Sequence, residues 1–154
     1  MKKTKLTIIL LALALGLPAV PAVSAAEEHE HEGGKVKIPD TLAGVWQEVK
    51  EHEEALGKAI ADMQLDGVHE IAFEIRDMVN ALPDKSKLDP EKTAKLKANA
   101  KFVDALATRL DESGDAKDQS ATEANFKKLQ GILKTIESLY PPEQLKDDMK
   151  GMKM

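Results

Sequence analysis

Apolar residues recur at alternating three- and four-residue intervals along most of this chain, the period of one buried helix face. That pattern leaves few folds open. A first helix is predicted from about Thr41, behind Pro39-Asp40, to about Gln64. Its seam is Leu42, Val45, Val49, His52, Leu56, Ala59 and Met63, widened by Trp46 and Ile60. Asp66-Gly67 breaks it. A second helix carries Val68, Ile71, Ile75, Met78 and Leu82 and is expected to stop at Pro83, which lacks the N–H needed to continue. Asp89-Pro90-Glu91 joins a capping Asp, a Pro at the first helical position and an acid near the positive end of the dipole. The third helix that starts there presents Leu96, Asn99, Val103, Leu106 and Leu110 and is expected to end at Ser113-Gly114. Ser120-Ala121-Thr122-Glu123 has the form of a capping box. It would open a fourth helix with Phe126, Leu129, Leu133, Ile136 and Tyr140, terminated by Pro141-Pro142.

Four amphipathic helices with short connections bury their stripes most simply as an all-α, antiparallel four-helix bundle, here over residues 39–141. Seven-residue seams favour the shallow crossing angle of such bundles. Residues 1–25 read as a signal peptide: Lys2, Lys3 and Lys5, then an apolar run over 6–17, then small residues at Val23-Ser24-Ala25-Ala26. Residues 26–38 are acidic, carry two histidines and Gly33-Gly34, and are expected to be disordered. Residues 142–154 form a methionine-containing tail.

An exported chain is expected in the periplasm, with secretion as the alternative. Removing the three signal lysines from 22 basic and 27 acidic residues leaves a net charge of −8. That balance argues against nucleic acid and against anionic lipid surfaces. The chain has no cysteine, which excludes thiol chemistry, a lipidated N-terminal cysteine, c-type haem and Fe–S clusters. No later segment approaches the apolar length of a membrane span, so no insertion is expected after cleavage. A monomer or weak dimer is expected.

Enzyme signatures fail on inspection. His52-Glu53 and His69-Glu70 each begin an H-E-x-x-H zinc site, but Leu56 and Phe73 stand where the second histidine belongs. A di-iron bundle needs Glu-x-x-His; Val49 and Asp66 occupy the glutamate positions. There is no Gly-rich phosphate loop and no nucleophile elbow. The reading is of a protein that is not an enzyme.

Metal-ligand chemistry is better represented. His29 and His31 stand two apart among glutamates, a nitrogen and oxygen set suited to Cu(II), Ni(II) or Zn(II). Signal cleavage after Ala26 instead of Ala25 would place His29 third, as in amino-terminal copper and nickel motifs. Met149, Met152 and Met154 offer soft thioethers suited to Cu(I). His52 lies on the seam, either as a core histidine bonded to a neighbouring helix, for which Asn99 is a candidate partner, or as a ligand. Met78 comes level with His52 when the chain turns near Leu65, so the two could face each other. His69 does not. At ~1.5 Å per residue the two histidines stand roughly 15 Å apart along the bundle. His69, Phe73 and Arg76, with Asp77, line the flank of the second helix, either as a partner-binding strip or as a solvated edge.

The run Gly67-Val68-His69-Glu70-Ile71-Ala72-Phe73-Glu74-Ile75-Arg76-Asp77, then Ala81-Leu82-Pro83, resembles small exported helical proteins that accompany heavy-metal efflux systems in Gram-negative bacteria, as do residues 107–115 and 121–129. The resemblance implies an accessory role in metal tolerance, with an efflux component as partner, and brings no ligand set. The architecture is also similar to the soluble b-type bundle cytochromes, which hold haem between a Met and a His. No histidine lies on the third or fourth helix, so no haem is expected. The sequence thus predicts an exported bundle that binds or buffers copper or another transition metal ion through its tails and His52. A metal-free adaptor that docks a protein partner on the second helix is the alternative, and a haem-binding bundle the third reading.

Overall fold

Thr41 opens the first helix as its side chain allows: extended itself (φ −106°, ψ 150°), it accepts the Gly44 N–H on Oγ1 at 3.0 Å. The computed structural model describes residues 36–146. Within them α1 (Leu42–Ala61), α2 (Val68–Lys85), α3 (Pro90–Asp115) and α4 (Gln119–Glu137) form a four-helix bundle. Short 3-10 turns lie at Leu65–Gly67 and Pro142–Gln144. Short connections make sequence neighbours spatial neighbours, so α1 packs on α2, α2 on α3 and α3 on α4. The α1–α4 seam is the loosest of the four. It closes where Gly57 admits the Phe126 ring, 3.1 Å from where a Cβ would stand.

All four helices feed one core. Val45, Val49 and Leu56 meet Val68, Ile75, Met78 and Leu82, with Leu96, Val103 and Leu110 from α3 and Leu129, Leu133 and Ile136 from α4, all fully buried. Burying such a side chain contributes roughly 1.5–3 kcal/mol. This shared seam, more than helix propensity, is what holds helices of about five to seven turns. Among the described residues the buried polar side chains are Glu53, paired with Lys50, and a hydroxyl pair: Thr122 donates to the Asp118 carbonyl at 2.7 Å and lies 3.0 Å from Ser113 Oγ across α3 and α4. No helix among the described residues is long and apolar enough to cross a membrane.

Helix ends depart from the expected positions, each for a local reason. The first helix stops at Ala61, short of Gln64, because Met63 turns left-handed (φ 57°). The Gln64 N–H then reaches the Ala59 carbonyl at 2.8 Å and the Met63 N–H the Ile60 carbonyl at 3.1 Å, a Schellman turn. Met63, placed on the seam by periodicity, is thereby 75 % exposed. The second helix passes Pro83 and ends at Lys85, because a proline in the last turn forfeits one bond without blocking the turn. Gly114 does not end the third helix, which runs to Asp115. The capping box at Ser120 is not used: Asp118 caps α4, accepting the Ala121 N–H at 2.9 Å. Val36 and Ile38, ahead of Pro39, are half-buried against the core, as is Leu145 beyond Pro142.

Candidate metal centre

His69 stands in the first turn of α2, one turn beyond Asp66, and that position decides what its ring can do. The Asp66 carbonyl can only accept, so His69 Nδ1, 3.1 Å away, is the donor. In the neutral imidazole Nε2 then carries the lone pair, the arrangement by which metal-ligating histidines are normally oriented.

The last turns of α3 lie alongside. Asp111 and Asp115 are four residues apart, so both project from one face of that helix. One donor atom from each of His69, Asp111 and Asp115 lies within 4.8 Å of the others. His69 and Asp111 are half-buried and Asp115 is exposed, which gives the group one wet side. Gly114, between the two aspartates, makes this proximity available. A Cβ there would stand 3.1 Å from the Leu65 carbonyl oxygen and 3.4 Å from Val68 Cβ, a tight fit against backbone, so glycine eases the close approach of α3 to the start of α2.

A second polar bridge fixes the same corner. Lys117, left-handed at φ 54°, forms the Schellman turn that ends α3: its N–H meets the Gly114 carbonyl at 2.9 Å, and the Asp118 N–H meets that of Ser113 at 2.9 Å. From there its ammonium pairs with the Asp66 carboxylate. One imidazole with two carboxylates is a nitrogen and oxygen donor set for a divalent ion, borderline to hard in character and unsuited to Cu(I).

The other residues singled out by the sequence are distributed differently. His52 is half-buried, not deeply buried as its seam position suggests, with its side chain 24 % exposed. Its Nδ1 donates to the Glu48 carbonyl at 2.8 Å and its Nε2 lies 2.9 Å from Glu74 Oε2 on α2. The neighbouring-helix partner is therefore Glu74 and not Asn99, whose amide donates within α3 to the Lys95 carbonyl at 2.9 Å. Met78 is fully buried among apolar side chains. On the strip of the second helix, Phe73 is buried and Arg76 lies over its ring, 4.4 Å from the centroid. Arg76 also pairs with Asp77 at 2.7 Å and reaches Asp104 on α3 at 3.9 Å. His69 belongs to this strip in sequence but sits at its end, beside α3. His29, His31, Met149, Met152 and Met154, and the signal segment, lie outside the described residues.

Asp111 and Asp115 are not singled out by sequence patterning. An i, i+4 pair of aspartates is common on a solvated face, and the histidine that gives it meaning is 42 residues away from the nearer one. The bare spacing Asp-x-x-x-Asp beside a buried glycine is the one signal present. No protein-family model, characterised protein or solved structure matches the chain.

Proposed function

We propose that this is an exported, non-enzymatic helical protein that binds and buffers a divalent transition-metal ion at His69, Asp111 and Asp115. The observation that carries the reading is the convergence of three donor atoms from two helices within 4.8 Å, with the histidine ring oriented by the Asp66 carbonyl. Zn(II), Ni(II), Co(II) and Cu(II) suit this set. Three protein ligands leave coordination positions open on the exposed side, which favours an ion that is loaded and released over a closed structural site. Such exchange fits buffering and hand-over in metal tolerance, the role the sequence resemblance implies. The tails would add further donors, His29 and His31 as a second nitrogen and oxygen set and Met149, Met152 and Met154 as soft thioethers suited to Cu(I).

Isothermal titration of the signal-cleaved chain with Zn(II), Ni(II) and Cu(II) tests this. His69→Ala should remove one equivalent of bound ion. Asp111→Asn and Asp115→Asn should each weaken that equivalent, and His29→Ala/His31→Ala should leave it intact. An unchanged stoichiometry in His69→Ala would overturn the reading.

A further inference from the structure

Two non-glycine residues among those described adopt left-handed backbone, Met63 and Lys117, and both occupy the C′ position of a Schellman turn. Glycine is the least strained residue there. Their side chains then part ways. Met63 points to solvent, 75 % exposed. Lys117 crosses to the Leu65–Gly67 turn and holds the Asp66 carboxylate.

Asp66 is thus gripped from both ends. Its carboxylate is held by Lys117 and its carbonyl accepts the His69 Nδ1–H at 3.1 Å. The third hold on this turn is the contact of α3 at Gly114 with the Leu65 carbonyl. Beyond these the turn is held by the Val68 N–H bond to the Leu65 carbonyl, and Gln64 caps it with no side-chain bond, so the peptide after Asp66 depends most on the Asp66 contacts. Rotating the 66–67 peptide would withdraw the carbonyl and allow the His69 proton to move to Nε2, the nitrogen left to ligate while Nδ1 is bonded to Asp66.

We infer that Lys117 is a positioning residue of the metal centre, acting through Asp66 to keep His69 in the tautomer that ligates through Nε2. This rests on the metal-binding reading above. A cation beside a cation site also repels the incoming ion. That opposing effect is reduced here, because the ammonium is paired with the Asp66 carboxylate and is about half exposed to water (53 %). Loss of an orienting partner weakens metal sites by about 10–100-fold when it touches the ligand directly. One step further out, a weakening of roughly threefold to tenfold is expected.

The test compares Lys117→Gly, Lys117→Arg and Met63→Gly in the signal-cleaved chain. Imidazole nitrogen NMR on metal-free protein reads the His69 tautomer, and Zn(II) titration reads affinity. Both glycine variants relieve left-handed strain and should melt no lower than the parent. Lys117→Gly alone should shift His69 to a mixture of tautomers and weaken Zn(II) by roughly threefold to tenfold; Lys117→Arg should restore both. An unchanged tautomer in Lys117→Gly overturns the proposal and leaves an ordinary surface ion pair. An altered tautomer with unaltered Zn(II) affinity overturns the positioning role, even though the coupling to His69 is real. If the parent chain binds no Zn(II), Ni(II) or Cu(II) while the tautomer shifts, the metal reading fails and the Lys117–Asp66–His69 coupling stands.

Discussion

Gly114 faces the Leu65 carbonyl oxygen so closely that a Cβ on it would come to 3.1 Å from that oxygen. Alanine normally favours a helix interior over glycine by about 1 kcal/mol. At Gly114 that gain should be cancelled or reversed, because backbone oxygen cannot swing aside as a side chain can. Gly131, exposed on α4 with nothing within 4 Å of where a Cβ would stand, is the matched comparison. Chemical denaturation should show Gly131→Ala gaining about 0.5–1 kcal/mol and Gly114→Ala gaining nothing or losing stability. Equal gains would mean that α3 has slack at this corner.

Leu133 fills the α4 side of the core and is 1 % exposed. Leu133→Ala should cost about 2–5 kcal/mol, through lost transfer energy and the cavity left behind. A cost near zero in urea titration would show that this face is not buried.

His52 should prove structural. Both ring nitrogens already face acceptors, the Glu48 carbonyl and the Glu74 carboxylate. His52→Gln should lower stability by about 1 kcal/mol and leave metal stoichiometry unchanged. Loss of a bound equivalent would instead make His52 a ligand.

Burial raises the Tyr140 phenol above its ordinary value of 10.0, while its hydrogen bond to Ser86 acts the other way. The sign follows from linkage: the unfolded chain loses this proton first, so folding is opposed as pH rises past the unfolded value. The contribution is full below about pH 10 and declines above it. Denaturation midpoints from neutral to alkaline pH should fall more steeply for the parent than for Tyr140→Phe. Parallel profiles would show that the phenol is as well solvated folded as unfolded.

The four helices are legible in the sequence because a 3.6-residue period is local information, and a stripe that long has to be covered. Thr41 and Asp89 announce their helix starts for the same reason, since a cap touches only residues within one turn. The ends are less legible. Met63 and Lys117 turn left-handed where no glycine marks the site, while Gly114, which resembles a stop, lies inside α3. Asp118 outcompetes Ser120 as the cap of α4, because it also closes the turn that ends α3.

The patterning of the core follows from sequence alone, because hydrophobic burial depends on which face a residue occupies and not on its exact neighbour, while His52 and Met63 show that a seam position does not by itself guarantee burial. Which polar groups meet is a different matter. His69 lies on α2 and Asp111 and Asp115 on α3, and nothing along the chain relates them. The packing of α3 against the Leu65–Gly67 turn, eased by the missing Cβ at Gly114, brings their donor atoms within 4.8 Å of one another. Donor geometry is short-ranged, of a few ångströms, and only tertiary structure sets distances on that scale between residues 42 positions apart.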